Sequence, residues 1–258
     1  MMTTTNQNVI DPVPVELLEM ELTPDRLLRD TNKGGNKIYI IDAFSAPNVM
    51  REVGRLREIA FRAAGGGTGK DCDIDEFDTM EPPCRQLVVW DPEAREIIGG
   101  YRFIPGNEIK MRSDGMPRIA TSHMFSFSER FLKDYLPHTI ELGRSFVRLE
   151  YQTTRVGVKA LYALDNLWDG LGALTVIYPD MRYLFGKVTM YPSYNADCRN
   201  MILYFLTKHF PDPDRLVWPM TPLTTHMDNE AMRKLFIHDT FKAVSYTHLR
   251  AHETLSDL

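Results

Sequence analysis

Apolar positions change period several times along the chain, and each change predicts an element. Residues 37–41, Lys-Ile-Tyr-Ile-Ile, form a short apolar run bounded by polar residues and predict a strand. Ser45-Ala46-Pro47 can open a helix in which Val49, Val53, Leu56, Ile59 and Ala60 keep helical spacing, with Arg57 and Phe61 one turn apart. Residues 86–90 and 97–104 predict an antiparallel hairpin turned at Asp91-Pro92. Ser126 with Glu129 is a capping-box pattern ahead of a helix carrying Phe131, Leu132 and Tyr135, which Pro137 stops. A β-prone run follows at 140–148. Leu161, Leu164, Leu167, Trp168, Leu171 and Leu174 then trace a helical stripe over 160–176, in which Gly170 and Gly172 allow close approach of a strand or ligand. A strand over 183–190 and an amphipathic helix over 197–210 complete the order.

That order predicts one α+β domain over 36–243 without repeat or linker. Residues 1–35, polar and broken by Pro12, Pro14, Pro24, Gly34 and Gly35, read as an N-terminal extension, with Thr23-Pro24 opening a short helix through Leu27 and Leu28.

Composition narrows the function classes. The 258 residues are 43% hydrophobic and 25% charged, which is the balance of a folded soluble chain. A net charge of −5 argues against a general nucleic-acid binder. Cys72, Cys84 and Cys198 form neither a disulfide framework nor a CxxC metal motif, and no signal-peptide core precedes the first element. A reducing, cytoplasmic location and no bound metal are the resulting expectations.

Two glycine- and acid-rich stretches invite and then refuse familiar readings. Gly65-Gly66-Gly67-Thr68-Gly69-Lys70 resembles a phosphate loop, but Asp71 stands at the Ser/Thr position and Ala64 at the first glycine, leaving a mobile loop. Asp71, Asp73, Asp75, Glu76 and Asp78 follow; a calcium loop opening at Asp71 would need glycine where Glu76 stands. A carboxylate cluster able to hold an arginine or a substrate ammonium is the better reading. The run Ile140-Glu141-Leu142-Gly143-Arg144-Ser145-Phe146-Val147-Arg148 sets an acid and a base three residues apart. In a regular strand they would face opposite ways, so either they form a strand-end ion pair or a bulge at Gly143 brings them to one cleft.

Taken in order, Asp75-Glu76-Phe77-Asp78, Gly99-Gly100-Tyr101-Arg102 and Glu141-Leu142-Gly143-Arg144-Ser145-Phe146-Val147 resemble the ornithine-type amino-acid N-acyltransferases. These have the GNAT acetyltransferase fold, are sometimes labelled hemolysin-like, and are related to the acyl-homoserine-lactone autoinducer synthases. Residues 167–171 and 185–190 most resemble the branch making N-acyl glycine or related aminolipids. The resemblance covers roughly residues 45–240 and implies a mixed central sheet flanked by helices.

The implied activity is transfer of a long-chain, 3-hydroxylated or plain, acyl group from acyl-carrier protein to the α-amine of an amino acid, glycine or ornithine. By matching position it implies Glu141, Arg144 and Arg102 as catalytic residues, and Arg57, Phe61, Asp75 and Asp78 as substrate-binding. Phe146 and Trp168 are added as substrate-binding candidates. Phe146, Leu171, Leu174, Phe185 and Val188 are candidates for an acyl slot. No cofactor is expected to be held permanently; the acyl-phosphopantetheine of the carrier is the co-substrate, with its phosphodiester at Thr153, Thr154, Arg155 and Gly157 before a helix. Arg148, Arg155, Lys159, Arg182 and Lys187 are candidates for docking the acidic carrier. Peripheral membrane contact is an expectation from the lipophilicity of the product. The tryptophan that the autoinducer synthases often carry between the first helix and the acidic pair is absent, the glycine run standing there instead, which favours the aminolipid branch. An autoinducer-type synthase and a non-catalytic lipid-binding module are the alternatives.

Residues 245–254 resemble a recurrent translation of sequencing-adapter DNA. The tail 244–258 is therefore set aside, His248 and His252 are not read as metal ligands, and the domain is expected to lack its C-terminal part.

Overall fold

The computed structural model describes residues 7–152, 158–191, 193–223 and 229–236. The chain divides into two compact units, residues 1–187 and 188–258.

The first unit is built on a six-stranded sheet in the order β1-β2-β3-β4-β6-β7. Its strands are β1 (Leu27–Asp30), β2 (Lys37–Ile41), β3 (Arg85–Asp91), β4 (Glu96–Pro105), β6 (Thr139–Val147) and β7 (Tyr183–Gly186). All neighbours are antiparallel except β6 and β7, which run parallel. That exception follows from the 20-residue helix α4 (Val158–Ile177) between them, since parallel neighbours need a long crossover. Helix α2 (Pro47–Ala63) packs with one hydrophobic cluster and α4 with the other.

Strand alternation divides the apolar runs between the two clusters. Val88, Trp90 and Ile97 join the α2 cluster, while Leu87, Val89 and Ile98 join that of α4. These strands are covered on both faces, which is why they read as continuous apolar runs.

The segment before residue 36 is part of this unit rather than an extension. Helix α1 (Val15–Glu21) contributes Leu18, which with Leu22 lies in the α2 cluster, and β1 pairs with β2. Thr23-Pro24 opens only a three-residue turn, Pro24–Arg26, and Leu27 and Leu28 are already in β1. Helix α2 begins with Pro47 and has no cap from its own N-cap residue, Ala46. Its free first-turn N–H groups are taken by the Glu21 carboxylate, which accepts from Asn48 N at 3.1 Å and Val49 N at 2.8 Å.

Other expectations shift locally. The helix expected to carry Phe131, Leu132 and Tyr135 forms as a short, wide helical segment, Phe131–Tyr135, but Ser126 lies in a short strand, β5 (Phe125–Phe127), and it is Ser128 that accepts from Phe131 N at 3.0 Å. Phe127 and Phe131 stack there at 5.2 Å, and Phe131 meets Phe185 at 5.5 Å, so aromatic packing moves the helix start from Ser126 to Ser128. Strand β7 stops at Gly186 instead of 190. The glycine loop closes on Glu58, whose carboxylate accepts from Thr68 N and Gly69 N, both at 2.9 Å, from Thr68 Oγ1 and from Arg62 Nε. It thus cradles a carboxylate of its own chain.

The second unit holds α5 (Ala196–His209), β8 (Val217–Pro219) and α6 (Asn229–Leu235). Helix α5 is capped by Asn195, which accepts from Asp197 N and Cys198 N, and Tyr204 packs on Phe236 at 5.6 Å. The boundary at 187 replaces the single domain expected to run to 243, and the tail 244–258 lies outside the described residues.

The two glycines of α4 have opposite environments. A Cβ at Gly170 would sit 2.6 Å from Leu87 Cδ2 in the core, whereas one at Gly172 meets nothing within 4 Å. Gly172→Ala is therefore expected to stabilise the fold by about 1 kcal/mol through helix propensity, and Gly170→Leu to cost about 1–3 kcal/mol through overpacking. Urea unfolding midpoints of the two variants check both signs.

Candidate active site

The sheet face toward α2 carries a row of polar side chains where apolar ones would be expected. Gln86 on β3 pairs with Arg102 on β4, and Arg102 pairs with Gly143 on β6. The next pair in register is Gly100 with Phe146, so Arg144 and Ser145 both stand opposite Tyr101. This is a β-bulge, and it falls one residue past the expected position: Arg144, not Gly143, takes the left-handed backbone, with φ +49°. The strain of that conformation in a residue with a Cβ is of order 1–2 kcal/mol. It is offset by the contacts of the guanidinium, with Nε 3.0 Å from Asp73 Oδ2 and Nη2 3.2 Å from Asp75 Oδ2. The extra residue also restores Phe146 to the α2 face, where it is buried in the core.

The acids come from the loop ahead of β3. Asp75 caps the short helix α3 (Glu76–Thr79), accepting from Phe77 N at 2.9 Å, while Asp78 accepts from Asp75 N at 3.0 Å, a reciprocal capping box. Asp75 then receives Arg102 at 2.6 Å as well as Arg144. Burial works to raise the Asp75 pKa, but Arg102 and Arg144 together hold it below the usual carboxylate value. Asp78 is fully buried and receives Gln86 Nε2 at 2.9 Å, Arg102 at 3.3 Å and Arg57 at 3.4 Å. Arg57, also fully buried, donates to Gln86 Oε1 too. The Arg102 guanidinium lies over the Phe77 ring at 5.5 Å.

Glu141 stands apart from these ion pairs. It is 6% exposed, and its Oε1 accepts from Thr121 N at 3.1 Å and Thr121 Oγ1 at 2.8 Å. Burial pushes its pKa up, with the Thr121 hydrogen bonds and the Arg102 charge opposing. Just beyond it the sheet opens: the parallel pairing of β6 with β7 ends at Leu142 opposite Gly186, while β6 continues to Val147 against β4 alone. On the far side of Phe77, a separate pocket of about 350 Å³ is lined by Glu76, Phe77, Arg112, Arg118, Ile119 and His123.

The structure thus brings Glu141, Arg102, Arg144 and Asp75 to one face. Several candidates are placed elsewhere. Arg57 and Asp78 have no exposed surface and serve as the scaffold beneath the site instead of touching substrate. Phe146 is core, Phe61 packs half-buried against the α2 cluster, and Trp168 is 67% exposed on α4. Among the acyl-slot candidates Leu171 and Leu174 are core, Phe185 is held in the aromatic stack and Val188 is exposed. Arg148, expected to be available for docking, is paired to Glu96 at 2.6 Å and Glu150 at 3.0 Å. Thr153, Thr154, Arg155 and Gly157 lie outside the described residues. Thr121 and Gln86 escaped sequence reading, since nothing local marks a threonine 20 residues before Glu141 as its partner.

Among the described residues no group of His, Cys, Asp or Glu could hold a metal, and no helix is long and apolar enough to cross a membrane. Asp78→Asn is expected to destabilise the fold by about 3–5 kcal/mol, because it removes the carboxylate in direct contact with the buried Arg57. Thermal unfolding against wild type, alongside Asp75→Asn at the partly exposed rim with a smaller loss, checks it.

Residues 56–161 match the family model described as an acetyltransferase (GNAT) domain. Over 236 residues the chain is 64% identical to a glycine N(alpha)-acyltransferase of Bacteroides thetaiotaomicron, covering 92% of this chain and 70% of that protein. It is 61% identical over 236 residues to a glycine N(alpha)-acyltransferase of Phocaeicola vulgatus, covering 92% and 72%. The mixed sheet flanked by helices, opening between β6 and β7, is the GNAT architecture. With its matching domain and these relatives, the chain belongs to the GNAT-fold N-acyltransferases and is an acyltransferase.

Proposed function

We propose that this protein transfers a long-chain acyl group from the phosphopantetheine thioester of acyl-carrier protein to the α-amine of glycine. The observation that carries the reading is Glu141: a buried carboxylate with a raised pKa, held by neutral donors at the place where β6 leaves β7. The names of the two relatives support the acceptor.

In this reading the thioester lies in the opening between the strands. Glu141 takes a proton from the α-ammonium, and the freed amine attacks the thioester carbonyl carbon. The edge of β6 beyond Leu142 has no β7 neighbour in register, and its backbone N–H groups are the donors proposed for the oxyanion. Collapse breaks the C–S bond; the amide nitrogen loses its second proton, the thiolate takes one proton, and one goes to solvent. Direct attack suits the thiol beside the cluster, since burial pushes Cys84 up to about 12 and leaves it a poor nucleophile. The N-acyl amino acid is the first intermediate expected for an aminolipid.

Incubation with acyl-carrier protein loaded with a long-chain acyl group and a panel of amino acids, read by mass spectrometry, tests the reading. N-acyl glycine supports it; a lactone from an S-adenosylmethionine donor would indicate an autoinducer synthase, and no product a binding module. Glu141→Gln is expected to lower kcat by about 10²–10⁴-fold while the fold is retained. A base must be ionised to act, so the raised pKa puts the acidic limb of kcat/KM above the ordinary value of 4.5, and the glutamine variant loses that limb. A wild-type limb at or below that value would refute the role.

A further inference from the structure

Lys187 is the first residue after β7, and the position it occupies gives it a task. Gly186 is the last residue of β7 in register, opposite Leu142, so Lys187 is the residue with which the chain leaves β6, at the mouth of the opening next to Gly143. Alternation puts it on the face of Phe185, whose partner is Glu141. Gly143 has no side chain, and a Cβ built there would meet nothing within 4 Å. An open space over the glycine is therefore bordered by Glu141 behind, the Arg102–Arg144 pair beside, and Lys187 at its mouth.

Arg102 and Arg144 are fixed by Asp73, Asp75 and Asp78. Lys187 has no ion pair or hydrogen bond among the described residues. Partial burial lowers its pKa, Arg144 and Arg102 lower it further, and the Glu141 carboxylate opposes them, in keeping with the face that the strand register gives it. With both arginines already committed to aspartates, Lys187 is, among the described residues, the cation at the opening left free to take a bound anion. Glu141 and Gly143 are two residues apart on the strand, roughly 7 Å. That separation suits a short zwitterion with its ammonium at Glu141 and its carboxylate toward the far side of the glycine.

We propose that Lys187, assisted by Arg144, binds the α-carboxylate of the acceptor over Gly143 and so confines the enzyme to free α-amino acids. The inference rests on the amino-acid N-acyltransferase reading above and adds the residue that selects the acceptor. The rival placement is the pocket beyond Phe77, where Arg118 offers a cation without an ion pair among the described residues.

The test compares glycine with glycinamide as acceptors at saturating acyl-carrier-protein donor, for wild type, Lys187→Met, Lys187→Arg and Arg118→Gln. Wild type is expected to prefer glycine. Lys187→Met is expected to raise the glycine KM by about 10–100-fold, the loss of one charge-assisted contact, with a much smaller change in kcat. Its preference for glycine over glycinamide should collapse toward one, and Lys187→Arg should restore most of it. Lys187→Met with the wild-type preference overturns the inference, as does loss of that preference in Arg118→Gln instead. A wild type that acylates glycine and glycinamide equally overturns the inference alone; one that acylates no amino acid overturns the function reading and the inference together.

Discussion

Asp78 never meets solvent, yet it accepts from Gln86, from the backbone of Asp75, and from two arginines on two different elements. A buried charge of this kind costs several kcal/mol unless its lone pairs are all used. Here the requirement fixes α2, α3, β3 and β4 relative to one another, because each supplies one partner. Arg57 reaches Asp78 from α2, and Gln86 bridges both, accepting from Arg57 while donating to Asp78. Apolar packing on either side of the sheet would tolerate small shifts of α2; this hub tolerates far less. It sets the floor on which Asp75 and Arg102 stand, so the geometry above it is inherited from a group with no exposed surface.

The strained Arg144 follows from the same floor. A regular β6 would send Arg144 away from the α2 face and put Ser145 where Phe146 is needed. The bulge answers both demands with one extra residue. Its left-handed backbone persists because Asp73 and Asp75 hold the guanidinium from the other side. Burial outweighs Arg144 and Arg57 at Asp73, whose pKa is raised, so the Arg144 contact with Asp75 is the better charge-balanced of the two.

Much of this was legible in the chain. Alternation and helical spacing placed β2, α2, β3, β4, β6, α4 and α5 within a few residues, since each carries its own period. The elements that failed are those decided by distant partners. The helix carrying Phe131 starts at Ser128 and not Ser126, because Phe127 is drawn into aromatic contact with Phe185, and β7 is cut short by the divergence of β6, which no residue in 183–190 announces. A carboxylate and an arginine with a glycine between them marked the bulged strand, but the glycine drew attention to the wrong residue: a Cβ at Gly143 would meet nothing within 4 Å, and Arg144 bears the unusual angle. Nor does sequence separate a buried arginine from a substrate-binding one, and Arg57 matched the pattern of a site residue while lying wholly beneath it.

Asp75 and Glu141 show why the ionic cluster and the proposed base must be distinct. Both carboxylates lie on one face within the influence of Arg102, and burial acts on both in the same direction. They diverge because Asp75 has two guanidiniums in direct contact, whereas Glu141 is held by neutral donors, the Thr121 N–H and hydroxyl with the Ala120 backbone, and feels Arg102 at longer range. Had Glu141 been drawn into the arginine pair, its proton affinity would have fallen with that of Asp75, and the proposed base would be a poorer proton acceptor. Thr121 prevents this by orienting the carboxylate without neutralising it. In the proposed reaction the loop between β4 and β6 thereby matters as much as the strand that carries the glutamate.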